Sequence, residues 1–173
     1  NNGEYVNAEV LSGGKVSDNR GVAVDRHITV PPLSYKDLFA IEISNNKNLP
    51  YVALSFASSV EDVKYIKSLV SDGVKIISKI ESRQGLINLD EIISETDEIL
   101  IDRGDLSREV PLEEIPLIQK IIINKCNKMD TPVHVATNLL ESMVKGDVPT
   151  RAEINDIMNT LIDGADGLVL AAE

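Results

Sequence analysis

"VKIISKIES", Val74 to Ser82, opens with the apolar, β-branched run of a buried strand and closes on two charges of opposite sign, Lys79 and Glu81. Four more short runs share its character: "YVALSF" (51–56), "EILIDR" (98–103), "PVHVAT" (132–137) and "GLVLA" (167–171). Runs of this length, rich in Val and Ile, predict five strands. Helical patterns lie between them. Val60, Val63, Ile66, Leu69 and Val70 recur at helical spacing behind a start signal at Ser59 and Asp62, with Gly73 as the expected stop. In "PTRAE", Thr150 and Glu153 form a capping box, and Ile154, Ile157, Met158, Leu161 and Ile162 make one apolar face ending at Gly164. A third helix is expected from about Leu112 to Met129, acidic at Glu113 and Glu114 and basic at Lys125 and Lys128, as the helix dipole favours.

Strands alternating with helices call for parallel pairing through crossovers, and hence an α/β layer or a barrel. The first 30 residues differ. They are rich in Gly, Asn and Ser with short alternating runs, and they read as β-structure from a neighbouring module plus a linker, broken by "VPPL" before a helix start at Ser34 and Asp37.

Composition narrows the function. A chain of 173 residues, 43% of them hydrophobic, suits one sizeable core. The net charge of −11 argues against a phosphate-backbone partner, so nucleic acid is not expected. No apolar stretch is long enough to span a bilayer, so no membrane partner is expected either. Cys126, the single cysteine, rules out an internal disulfide or a cysteine zinc site and suits a reducing, cytoplasmic setting, with an organelle not excluded. His134 alternates with Val133 and Val135 and reads, like His27, as outside the chemistry. The chain lacks an initiator Met and stops just after an apolar run, so it reads as a segment of a longer one.

Parallel α/β proteins place their chemistry at the carboxyl ends of the strands. Lys79 and Glu81, two apart on an extended chain, point to the same side there. The next strand ends in "DRGDL", bringing Asp102, Arg103 and Asp105 to the same rim, and the one after ends in "ATN", bringing Thr137 and Asn138. Glu81 and Asp105 would offer a hard cation two carboxylates, with water and substrate oxygens completing the shell as Mg²⁺ prefers, and Lys79 would face an anionic reactant.

"IISKIES", "DRGDLSREVP", "PVHVATNLLESM" and "PTRAEINDIMNTLIDGADGLVL" resemble, in order and spacing, the pyruvate kinase family. The likeness covers residues 52–173 well, and "GGKVSDNRGV" with "LSYKD" resembles the return from that family's lid domain into its barrel. The resemblance implies a partial TIM (β/α)₈ barrel with parallel strands, numbers four to eight of the family, over residues 31–173, preceded by the end of the lid β domain over 1–30. It implies that Lys79 sits between the transferred phosphoryl group and the enolate oxygen, that Glu81 and Asp105 bind Mg²⁺ or Mn²⁺, and that Thr137 lies beside the carbon that is protonated. It also implies that the Gly104 and Asp105 amides hold the substrate carboxylate. The expected reaction is the glycolytic transfer of a phosphoryl group from phosphoenolpyruvate to ADP, giving pyruvate and ATP, in an intact homo-oligomer that also uses K⁺. The K⁺ ligands, an essential arginine and most nucleotide contacts belong to parts of the family outside this segment, so the segment alone is expected to be inactive.

Moving a phosphoryl group concentrates negative charge, which calls for cations around its oxygens more than for a nucleophile. Thr137 would at best relay a proton, a hydroxyl being a poor acid. The sequence departs from the family at Asp102 (usually Ala), Ser107 (Gly), Ser58 (Arg), Ala171 and Ala172 (Ser followed by Gly or Ala) and Asn138 (Gln). Asp102 is read as structural and, by strand alternation, as pointing away from Arg103; loss of Arg at Ser58 is read as loosening support for Lys79. Two other classes stay open: a metal-dependent lyase or aldolase acting on a pyruvate enolate, and a non-catalytic module of the same fold.

Overall fold

A computed structural model describes residues 8–15 and 31–171. Five strands, β1 (Tyr51–Leu54), β2 (Lys75–Ile80), β3 (Glu98–Asp102), β4 (Val133–Ala136) and β5 (Gly167–Val169), lie side by side in chain order. Every neighbouring pair is parallel, with Val52 opposite Ile76, Ile80 opposite Ile101 and Asp102 opposite Ala136. Helix α1 (Tyr35–Asn46) precedes β1, and α2 (Val60–Lys67) joins β1 to β2. Two short helices, α3 (Arg83–Ile87) and α4 (Leu89–Glu95), lead to β3; α5 (Arg103–Leu106) and α6 (Ile115–Lys128) lead to β4; α7 (Arg151–Ile162) leads to β5. An order in which each strand neighbours the next in sequence is that of a barrel wall, whereas a doubly wound sheet reverses at a switch point. The expected five strands and the α/β class are found.

Alternation along the strands sorts the side chains. Ile76, Ile80, Ile99, Ile101, Val133 and Val135 are fully buried in one core with Val63, Ile92, Ile122, Ile123 and Cys126. Each such side chain contributes roughly 1.5–3 kcal/mol by leaving water. The intervening residues Ile77, Lys79, Leu100 and His134 face the other side and are half-buried. His134 Nε2 lies 3.1 Å from Glu98 Oε2 on the next strand, a packing role, and Gly167 leaves room for it, since a Cβ there would fall 2.5 Å from His134 Nδ1.

The three helix starts that were read all form capping boxes: Ser34 with Asp37, Ser59 with Asp62, and Thr150 with Glu153. Helix α2 ends earlier than expected, at Lys67, because the amides of Leu69 and Val70 both turn back to Ile66 O; Gly73, at φ +85°, serves the turn into β2 instead. The third helix begins at Ile115, after a single 3₁₀ turn at Leu112–Glu114, with Pro116 in its first turn where no N–H is required.

Of the expected apolar face of α7, only Ile157 is partly buried. Ile154, Met158, Leu161 and Ile162 stay 46–70% exposed, and Thr160 is the residue buried completely. Polar contacts dock this helix: Arg103 with Asp156, Gln119 with Thr160, and Lys120 with Asp163, at positions four and three residues apart on one helix face. The β segment read in residues 1–30 lies outside the described residues at 1–7 and 16–30, as does His27; residues 8–15 contain no strand.

A candidate active site at the carboxyl ends of the strands

Lys79 is the next-to-last residue of β2 and Glu81 follows the strand directly, so alternation turns both to the inner side, where Lys79 Nζ is 2.5 Å from Glu81 Oε1. Glu81 is only 1% exposed. The turn after β1, with Phe56 at φ +51°, aims the Phe56 N–H at Glu81 Oε2 over 2.5 Å. Oε1 is sealed from solvent and completes no hydrogen bond; the Lys79 ammonium approaches it outside hydrogen-bonding geometry. The desolvation cost of this buried carboxylate oxygen is offset by the ammonium beside it.

Asp102 closes β3. Its Oδ2 lies 3.2 Å from Lys79 Nζ, while Oδ1 accepts, weakly, the Asp105 N–H at 3.4 Å and lies 3.2 Å from the Thr137 hydroxyl, whose proton it shares with the nearer Ala136 O at 2.6 Å. Gly104 donates its N–H to Thr137 Oγ1 over 2.8 Å. Asp105, one turn on, pairs with Arg108 at 2.9 Å. Carboxylate oxygens of Glu81, Asp102 and Asp105 lie within 4.8 Å of one another.

Thr137 and Asn138 follow β4 at φ +69° and +55°, a left-handed conformation that a β-branched residue rarely adopts and that costs on the order of 1–3 kcal/mol unless surrounding contacts impose it. Arg103 imposes it. Its Nε and Nη2 donate to Thr137 O at 3.0 and 2.7 Å, Nη2 also donates to Asn138 O at 2.8 Å, and Nη1 binds both oxygens of Asp156 at 3.0 and 2.8 Å. One guanidinium thereby ties the end of β3 to the turn after β4 and to α7.

Burial disfavours the charged form of Lys79, but Glu81 and Asp102 outweigh it and its pKa moves up. Burial drives Glu81 upward as well, opposed by Lys79 and the Phe56 amide. The ammonium is therefore retained, and it is the element that makes a nearly sealed carboxylate tolerable. Cys126 is pushed up to about 12, mainly by burial, and stays an inert core thiol.

Lys79, Glu81, Gly104, Asp105 and Thr137, expected at one rim, do meet there. Asp102, expected to be structural, stands inside the cluster; it does point away from Arg103, because successive side chains at a strand end take opposite faces. Ser58, where the family's arginine is replaced, binds Asp62 through its N–H at 3.2 Å and its hydroxyl at 2.8 Å. Asn138 directs its side chain outward to Glu141. The Phe56 amide and Asp156 escaped sequence reasoning: the first is a backbone group set by a turn, and the second lies on a helix distant in sequence.

The donors suit a hard divalent cation. All are carboxylate oxygens, and Glu81 Oε1 is sealed from solvent with the Lys79 ammonium as its neighbour. The family model for the pyruvate kinase barrel domain matches residues 1–173. This chain belongs to the pyruvate kinase family. It is 39% identical to the pyruvate kinase of Clostridium perfringens over 176 residues, 99% of this chain and 37% of that protein. The pyruvate kinase of Mycobacterium tuberculosis is likewise 39% identical, over 99% of this chain and 37% of its own length. That of Methanocaldococcus jannaschii is 41% identical over 96% of this chain and 38% of its own. The chain thus spans little more than a third of these pyruvate kinases, and the sheet described above is the corresponding part of their barrel domain. Among the described residues, no helix is long and apolar enough to cross a membrane.

Proposed function

We propose that this segment supplies one side of the active site of a pyruvate kinase that moves a phosphoryl group from phosphoenolpyruvate to ADP, yielding pyruvate and ATP in glycolysis. The observation that carries the reading is the Lys79 ammonium, 2.5 Å from the sealed Glu81 carboxylate and 3.2 Å from Asp102, at the carboxyl ends of parallel strands. Glu81 and Asp105 would hold Mg²⁺ or Mn²⁺. When bound, that cation would neutralise phosphoryl oxygens and polarise the oxygen that becomes the carbonyl of pyruvate. Lys79, charged and fixed by its neighbours, would oppose the negative charge that builds as the phosphoryl group departs. The Thr137 hydroxyl, held by the Arg103 clamp on its own backbone, would pass a proton toward the substrate carbon, and the Gly104 and Asp105 amides would face the substrate carboxylate. Those two N–H groups are engaged by Thr137 and Asp102, so substrate has to take them over.

The reading extends to a K⁺ site and nucleotide contacts elsewhere in the longer protein, to a homo-oligomer in a cytoplasmic setting, and to a division into a lid return at 1–30 and barrel at 31–173. A non-catalytic module is the second reading, favoured by Asp102, whose carboxylate already engages Lys79 and the Asp105 amide. A steady-state assay on the full-length protein with phosphoenolpyruvate, ADP, Mg²⁺ and K⁺ separates them. Pyruvate formation coupled one-to-one to ATP supports the kinase. Its absence in a folded protein that still binds Mn²⁺ supports the module.

A further inference from the structure

Asp102 meets three donors at this rim: the Lys79 ammonium from β2 at 3.2 Å, the Asp105 amide at 3.4 Å as the N-cap bond of α5, and, at 3.2 Å, the Thr137 hydroxyl, whose one proton is shared with the nearer Ala136 carbonyl at 2.6 Å. An ammonium, a hydroxyl and an amide converging on a single carboxylate are what recognition of a free carboxylate requires. Gly104 forms a bare backbone wall beside it: a Cβ there would press on Thr137 Oγ1 at 3.3 Å and lie 3.5 Å from Asp102 Oδ1. None of the three contacts reaches the ~2.7–2.9 Å typical of a strong charge-assisted bond, so the occupant is held loosely.

We propose that Asp102 is an internal occupant of a carboxylate cradle, filling in the ligand-free protein the place that a small carboxylate ligand of the 2-oxo acid class has to take. Two effects then weaken binding of that ligand. Asp102 must be displaced from Lys79, Thr137 and the Asp105 amide, and its charge, together with that of Glu81, offsets the ammonium that an incoming anion would meet. The residue therefore sets the threshold affinity for carboxylate ligands without touching the departing phosphoryl group. This inference rests on the reading of the rim as a carboxylate and cation site.

The test uses the full-length protein with pyruvate as probe at saturating Mn²⁺, followed by calorimetry, and a separate Mn²⁺ titration by electron paramagnetic resonance. Asp102→Ala is expected to bind pyruvate at least about tenfold more tightly than the unmodified protein, near 1.4 kcal/mol, while its Mn²⁺ affinity moves far less. Asp102→Asn, nearly isosteric but uncharged, should fall between them, and it carries the test should the alanine variant fail to fold. Pyruvate affinity that is unchanged or weaker in the folded variants overturns the proposal. A loss of Mn²⁺ affinity of about tenfold in both variants also overturns it, by making Asp102 a cation ligand. If Glu81→Gln abolishes Mn²⁺ binding but no form binds pyruvate, the cation site stands and the cradle falls. If the unmodified protein binds neither probe, the functional reading falls with it.

Discussion

Arg103 and Asp156 form a two-bond ion pair, 3.0 and 2.8 Å from Nη1, that joins the end of β3 to α7 while the rest of the guanidinium holds the Thr137 and Asn138 carbonyls. The Arg103 side chain is 10% exposed and that of Asp156 is 35% exposed, so the pair is partly screened. Asp156→Ala should therefore cost about 1–3 kcal/mol, less than a fully buried pair, as read by urea denaturation of the full-length protein. Arg103→Lys, which keeps the charge but loses the fork, should also release Thr137 from its left-handed conformation and speed hydrogen exchange at the Gly104 amide. Exchange that stays slow would mean that Thr137 holds its position without the clamp.

Lys79→Met keeps the length and apolar stem of the side chain but deletes its charge. In the full-length protein, kcat is expected to fall by roughly 10²–10⁴, about 3–5 kcal/mol of transition-state stabilisation, with Mn²⁺ binding retained. Solvent hydrogen exchange at the pyruvate methyl group should fall less, because it needs no phosphoryl transfer. Equal loss in both assays would place Lys79 in the proton-transfer step.

Asp105→Asn removes a negative ligand from the proposed cation site while keeping its size. Mn²⁺ affinity should drop by at least about tenfold, or 1.4 kcal/mol. Unchanged affinity would remove Asp105 from the cation shell.

Gly85 lies where α3 approaches the turn after β1, and a Cβ at that position would come within 2.6 Å of the Ala57 carbonyl oxygen. The obstacle is backbone, and Ala57 also donates its N–H to Lys79 O at 3.2 Å, so it cannot retreat without disturbing the strand that carries Lys79. Gly85→Ala is expected to cost about 1–3 kcal/mol by denaturation and to reduce Mn²⁺ affinity through Glu81. A stable variant with intact Mn²⁺ binding would show that α3 shifts freely.

Glu153 accepts hydrogen bonds from the N–H and hydroxyl of both Ser142 and Thr150, with the Ser142 hydroxyl the leading cause, and these lower its pKa from 4.5 to about 2. A carboxylate with a depressed folded-state pKa stabilises the fold above its unfolded value and loses that contribution as pH falls toward the folded value. The melting temperature of the full-length protein should therefore exceed that of Glu153→Gln at neutral pH, and the gap should narrow from about pH 4.5 down toward 2. A gap that stays constant over this range would show that the charge of Glu153 contributes nothing to the cap.

The strands, the three capped helix starts and the placing of Lys79, Glu81, Asp105 and Thr137 at one rim were legible in the sequence because each depends on local rules. Period-two alternation puts residues 79 and 81 on one side, and an oxygen three residues ahead of an acidic side chain caps a helix wherever it occurs. Asp102 was read at this rim too, but its partner there was not legible, because nothing local says which side chain a strand-end aspartate meets; the pairing of Lys79 with Leu100 across β2 and β3 brings it to Lys79. The apolar stripe of α7 was legible, but not which face docks: the pattern on a helix names its faces, and Arg103, Gln119 and Lys120, brought from elsewhere in the chain, engage the polar one. The left-handed turn at Thr137 belongs to this second class as well. No propensity favours it, and it exists because a guanidinium 34 residues away in sequence binds its carbonyl oxygen.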